Sequence, residues 1–201
     1  MSSKLPARFY YDIISPFAYL YIKQRKRLEE KLEITPVPIL LGGLFRATDN
    51  KGPGEIAAKR PHTYQFCVWQ AEKLGIPFHF PDHHPFMTVA PQRLLVQEKA
   101  DWAMVEKAFD FVWLEGKDPN LSWPEFCAYL GLSRDTPKPD DAAVKSQLIA
   151  NTEQAKLDGA FGVPALIVNQ RCFWGVDTME WVLDYLSRPG MFDEAPYARA
   201  G

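Results

Sequence analysis

Stretches of alternating or continuous apolar residues and helix-period stripes follow one another along this chain in an order that predicts its architecture. Residues Ala7 to Asp12 read Ala-Arg-Phe-Tyr-Tyr-Asp, a short aromatic run ended at once by a break, which predicts a buried first strand. Ser15-Pro16 then opens a helix, because a serine side chain can accept from first-turn amides and proline presets φ where no N–H is needed. Apolar Phe17, Tyr19, Leu20 and Leu28 against polar Lys23 to Glu30 carry that helix to about Leu32. Ile34 to Leu41 predicts a second strand, and Pro36 and Pro38 suit an edge position because proline cannot donate to a ladder. From Gly42 to Gly54 the residues turn to Gly, Asn, Asp and Pro, which predicts a long loop.

Four helical patterns follow, at Glu55–Leu74, Ala90–Leu114, Ser122–Gly131 and Asp140–Asp158. The third opens on Ser122-Trp123-Pro124-Glu125, the spacing of a capping box. Ala165–Val168 and Cys172–Trp174 then predict a hairpin about Asn169-Gln170-Arg171, and Asp177-Thr178-Met179-Glu180 predicts the capped start of a last helix. The order β-α-β, helices, β-β-α predicts an α/β domain built from residues 1–54 and 159–201, split by a helical domain over 55–158.

Composition narrows this picture. At 201 residues, with 47% hydrophobic and 24% charged residues, the chain suits one enzyme-sized unit and excludes disordered, collagenous and disulfide-stapled classes. A net charge of -2 and a pI near 6.1 provide no footprint for nucleic acid or an anionic membrane. Met1 to Arg8 lacks the apolar core of a signal peptide, no stretch is long enough to span a bilayer, and Tyr197 to Gly201 matches no lipidation or retention signal. A soluble cytoplasmic protein is expected. Cys67, Cys127 and Cys172 are odd in number, far apart and never spaced Cys-x-x-Cys, so reduced thiols are expected rather than a disulfide framework or a thiolate zinc site.

Three segments carry candidate chemistry. Ser15, between the first strand and first helix, could hold an anion against first-turn amides, although a plain helix cap would explain the same residue. Asp158-Gly159-Ala160-Phe161-Gly162-Val163-Pro164 steps into a strand, either as an ordinary turn or, with a cis bond, as a place where the Val163 backbone could pair with a peptide-like ligand. Trp174-Gly175-Val176-Asp177-Thr178 could bind carboxylate and ammonium groups or simply cap a helix. His79 to His84 holds three histidines and an aspartate without a metal-binding spacing, so a polar loop and no metal are expected. Lys23 to Lys31 reads as a salt-bridged outer face, and the six tryptophans read as core.

Taken together, Phe9 to Leu20 with its Ser-Pro corner, Leu40 to Phe45 with Asn50-Lys51, Phe161 to Pro164, and Phe173 to Gly175 with Asp177 resemble one family over nearly the whole chain. It is the kappa-class glutathione transferase and 2-hydroxychromene-2-carboxylate isomerase family, within the DsbA-like thioredoxin superfamily. The resemblance implies a thioredoxin-like α/β domain with an inserted all-helical domain, and a homodimer. It places Ser15-Pro16-Phe17-Ala18 where redox relatives carry Cys-Pro-x-Cys, so a dithiol cycle is impossible and the working sulfur would be that of glutathione. It implies that Ser15 is catalytic, donating a hydrogen bond to the glutathione thiolate. Val163, before a proline expected to be cis, would pair with the cysteinyl backbone, and Gly175, Val176, Asp177 and Thr178 would hold the γ-glutamyl end. Arg46, Asn50, Lys51 and Lys59 would face an aromatic keto-acid, with Phe86 packing on its ring, although Lys51 and Lys59 also read as ordinary surface lysines. The activity implied is a glutathione-dependent cis–trans isomerase of 2-hydroxychromene-2-carboxylate in aromatic-hydrocarbon catabolism. The alternatives are a kappa-type transferase that conjugates electrophiles and a non-catalytic thioredoxin-like binding module.

Overall fold

The structure, a computed structural model, describes residues 3–47 and 49–200. Met1, Ser2 and Gly201 of the termini read for targeting signals, and Thr48 of the expected loop, lie outside the described residues. Among the described residues, four strands form one mixed sheet in the order β2-β1-β3-β4. Strand β1 (Leu5–Tyr11) runs parallel to β2 (Leu32–Pro38), with Leu5 opposite Leu32 and Tyr11 opposite Pro38. On its other side β1 is antiparallel to β3 (Ala165–Val168), which turns back through a hairpin to β4 (Arg171–Trp174). The proline-bearing β2 is an edge strand, and the hairpin is closed by Asn169 and Gln170 at φ 49 and 64, the positive-φ pair that matches strand twist.

Because side chains alternate along a strand, β1 sends Phe9 and Tyr11 to one face of the sheet and Tyr10 to the other. Phe9 stacks on Tyr21 of α1 (Pro16–Ile22) at 5.2 Å, and Tyr11 meets Phe109 of α5 (Trp102–Trp113) at 5.6 Å. On the opposite face Tyr10, Ile39 and Ile167 pack with Ala155 of α7 (Ala142–Leu157). The remaining helices are α2 (Leu41–Ala47), α3 (Arg60–Leu74), α4 (Val89–Gln97), α6 (Trp123–Leu130), α8 (Met179–Ser187) and α9 (Ala195–Ala198).

Several expected boundaries move, each for a local reason. The first helix ends at Ile22 rather than near Leu32, because Arg25 turns inward onto the Trp102 ring at 4.5 Å and pairs with Glu106, so Lys23 to Lys31 is not wholly an outer face. Part of the expected 42–54 loop is helix α2, whose entry is capped from afar by Asp12 accepting from the Leu41 N–H. Helix α3 starts at Arg60, not Glu55, and 90–114 is two helices, broken where Lys99 takes φ 49 and Asp101 caps α5 through Met104 N. Neither expected capping box forms: Ser122 makes no side-chain cap and Glu125 pairs with Lys117, while Asp177 lies in a 3-10 turn and Glu180 pairs with Arg27. Of the six tryptophans, Trp69, Trp174 and Trp181 are exposed rather than core.

Candidate functional site

The bend between β1 and α1 is held by groups that satisfy its carbonyls one after another. Tyr11 O accepts from Ile39 N and the Gln92 side chain, Asp12 O from Ser15 N, Ile13 O from the Trp113 indole at 2.9 Å, and Ile14 O from His84 Nε2 at 2.8 Å. A bend whose successive backbone carbonyls all have partners has little freedom to rearrange. Ser15 sits at its end, 5% exposed, with Oγ accepting from Ala18 N at 3.2 Å. Its hydroxyl proton points to Val163 O at 3.4 Å, well beyond the ordinary 2.7–2.8 Å of an O–H···O bond, so a better acceptor can recruit it at small cost. Because α1 has only seven residues, the anion-stabilising groups here are this hydroxyl and first-turn amides rather than a long helix dipole.

Ser15 opens onto a cavity of about 850 Å³. Val163 and Gly162 form one wall, and the Val163–Pro164 bond is cis, as the resemblance implied. A Cβ on Gly162 would lie 2.5 Å from Trp174 Nε1, so only glycine lets that indole close against the wall. Phe161 and Trp174, 4.9 Å apart and both exposed, form an aromatic rim. The cavity is also lined by Arg46, Asn50, Lys51 and Lys59, with Phe86 beside His84. Arg46, Lys51 and Lys59 bring positive charge to it, which would favour an organic anion.

Gly175, Val176, Asp177 and Thr178 do not belong to the cavity wall; they lie just past Trp174. Gly175, at φ 106, donates its N–H to Pro164 O and receives the Thr178 hydroxyl on its own carbonyl, which ties this turn to the Pro164 segment. Val176 and Thr178 are buried and Asp177 is exposed.

Sequence reasoning missed three residues of this site. Asp12, 1% exposed, accepts from Ile14 N, Leu41 N and the Thr88 hydroxyl, so one carboxylate joins the Ser15 bend, the start of α2 and the segment before α4. Tyr64 and His84 line the cavity and are hydrogen-bonded to each other. An acid next to the Ser-Pro corner was a visible signal for Asp12. His84 lay inside a loop read as polar, and nothing in the sequence joins it to Tyr64 twenty positions earlier.

Burial pushes the Asp12 carboxyl up to about 6, against the pull of its three hydrogen bonds. Between the unfolded value of about 3.9 and pH 6 the native state therefore holds more protons than the unfolded state, and stability falls as pH rises through that window. Above it the ionised carboxylate costs roughly 3 kcal/mol. Denaturant unfolding of the wild type and Asp12→Asn from pH 4 to pH 7 checks this. The wild type should lose stability relative to the variant by about that amount; a constant difference between the two would contradict it.

The chain's own sulfurs are elsewhere. Burial raises the Cys67 thiol to about 12 and Cys172 to about 11, Cys127 is also raised, and none of the three lines the cavity. Among the described residues, no cluster of three or more His, Cys, Asp or Glu could hold a metal, and no helix is long and apolar enough to cross a membrane.

The sequence profile of the DSBA-like thioredoxin domain matches residues 8–187. Glutathione S-transferase kappa 2 of Caenorhabditis elegans is 27% identical, covering 94% of this chain and 95% of the relative. A 2-hydroxychromene-2-carboxylate isomerase of Sphingobium xenophagum is also 27% identical, covering 89% and 96%. A solved 2-hydroxychromene-2-carboxylate isomerase superposes with a TM-score of 0.78 at 23% identity, covering 92% of this chain and 96% of the other, and thus shares the fold.

Proposed function

We propose that this chain, which belongs to the DSBA-like thioredoxin domain family, works with a thiol borrowed from glutathione and acts as a cis–trans isomerase. Its substrate in this reading is 2-hydroxychromene-2-carboxylate, converted to trans-o-hydroxybenzylidenepyruvate in aromatic-hydrocarbon breakdown. The observation that carries the reading is Ser15, whose hydroxyl faces the cavity and donates at a long 3.4 Å to Val163 O, in a cavity that no cysteine lines. Relatives named as kappa transferase and as isomerase support a glutathione-using enzyme.

In this reading Ser15 would turn its hydroxyl proton from Val163 O to the glutathione sulfur in a charge-assisted bond. Val163 would pair with the cysteinyl backbone of glutathione, and Gly175, Val176, Asp177 and Thr178, just past Trp174, would hold its γ-glutamyl end. Bound there, glutathione would supply a thiolate for reversible addition to the conjugated carbon of the ring-opened pyruvate, which lets the cis double bond become trans. Arg46, Asn50 and Lys51 would stabilise the developing enolate charge, and Lys59 would meet the carboxylate. A homodimer and cytoplasmic residence are parts of the same proposal. The exposed Phe66, Val68 and Trp69 of α3 support the first, and three free thiols support the second.

The second reading, a kappa-type transferase, rests on the relative of that name. Stoichiometry separates them. With substrate in large excess over glutathione, the isomerase completes many turnovers per glutathione while total free thiol stays constant. Loss of one thiol per turnover is the transferase result and would replace the isomerase reading.

A further inference from the structure

Tyr64 of α3 and His84 meet on the cavity wall with their hydrogen-bonding roles fixed by their surroundings. His84 Nε2 lies 2.8 Å from Ile14 O, a carbonyl that can only accept, so Nε2 carries the ring proton and Nδ1 is left as an acceptor. The Tyr64 hydroxyl reaches Nδ1 and also lies 3.2 Å from His84 O. That carbonyl already takes a 2.6 Å bond from Arg60, which leaves Nδ1 as the better partner for the Tyr64 proton. Tyr64 Oη then keeps lone pairs for a ligand. A Cβ on Gly54 would stand 3.1 Å from this oxygen, so glycine in the cavity-lining 53–55 turn leaves the space beside it open.

We propose that Tyr64 and His84 act as one proton acceptor for a hydroxyl of the organic substrate, with Tyr64 the catalytic residue that touches it and His84 a positioning residue that receives the proton through it. The inference rests on the isomerase reading, whose cyclic substrate must open before glutathione can add. In the step, the hemiketal O–H proton moves to Tyr64 Oη as the Tyr64 proton moves to His84 Nδ1. The O–H electron pair becomes the new carbonyl π bond, the ring carbon–oxygen bond breaks, and its pair goes to the departing phenolic oxygen. The proton returns from His84 through Tyr64 to that oxygen, so the pair ends as it began. Burial and the nearby Arg60 cation both hold the His84 imidazole below its usual range, which keeps it neutral and able to accept.

The test compares wild type, Tyr64→Phe, His84→Asn and the double variant on 2-hydroxychromene-2-carboxylate, with glutathione affinity measured by calorimetry and folding by thermal melting. The pair predicts a fall in kcat of about 100-fold for Tyr64→Phe, as for loss of a general base. Glutathione affinity should stay unchanged, and the double variant should be no slower than the slower single variant, because residues that act as a unit are not additive. His84→Asn also removes a prop of the Ser15 bend, so a loss of folding there leaves Tyr64→Phe as the deciding variant. A folded Tyr64→Phe that keeps wild-type kcat overturns the inference and leaves the isomerase reading standing. A double variant whose losses multiply overturns the unit. A wild type inactive on this substrate overturns both.

Discussion

Ser15→Ala should lower turnover about 10- to 100-fold at neutral pH while leaving the protein folded. A hydrogen bond to a charged group contributes about 1.5–3 kcal/mol, and here it would be given to a thiolate. The loss should fall on the chemical step and shrink as pH rises, since at high pH glutathione ionises without help. Stability should drop by only about 1 kcal/mol, the cost of a lost cap, because Oγ accepts from Ala18 N. Thermal melting and a pH–rate profile read the two effects separately. If the variant loses that stability yet keeps wild-type turnover at pH 7, Ser15 is a cap and nothing more.

The second large effect concerns the cations that line the cavity. Arg46 and Lys51 are both among them, Arg46 Nε lies 3.4 Å from Gly42 O, and neither side chain forms an ion pair among the described residues. Replacing either by alanine should reduce kcat/KM for a carboxylate-bearing keto substrate about 10-fold, and replacing both about 100-fold, in line with the loss of charge-assisted contacts to a developing enolate. Glutathione affinity should be unaffected, because the proposed glutathione contacts are Ser15, Val163 and residues 175–178 rather than these cations. Steady-state kinetics on the acid and on its neutral methyl ester check the assignment. Equal losses on both substrates would place the cations outside carboxylate recognition, and no loss on either would return them to ordinary surface residues.

What the sequence could disclose followed the range of the forces involved. Strands β1, β3 and β4 were legible because their aromatic and β-branched runs must be buried wherever they lie, and the Ser15-Pro16 helix start was legible because capping is local. Helix α2 was not. Leu41-Gly42-Gly43 has poor helix propensity, and the element is stabilised by remote groups, Asp12 on Leu41 N and Thr152 on Leu40 N. Helix α1 was overrun because nothing between Lys23 and Arg27 announces that Arg25 leaves solvent for the Trp102 ring. The break before α5, by contrast, had a signal that was passed over, Asp101 in the position of an N-cap.

The site divides the same way. Ser15, Val163, Arg46, Asn50, Lys51, Lys59 and Phe86 line one cavity, and the resemblance had already tied their distant segments together. The partners of Asp12, Tyr64 and His84 required coordinates, because each lies more than ten residues away. Asp12 shows why such residues matter to function. An ionised buried carboxylate lowers stability at neutral pH, yet it holds the Ser15 bend and the start of α2 in one arrangement, so the cationic residues keep their position relative to Ser15.

The central claim is that glutathione binds with its sulfur at Ser15 and is ionised there. Ultraviolet titration of the thiolate in the enzyme–glutathione complex measures this directly. Ionisation at Ser15 requires a midpoint at least one unit below the value of about 8.5 typical of a free cysteine thiol, with most of that shift lost in Ser15→Ala. A bound thiol that titrates at or above its free value, or one whose midpoint is the same in Ser15→Ala, would contradict it.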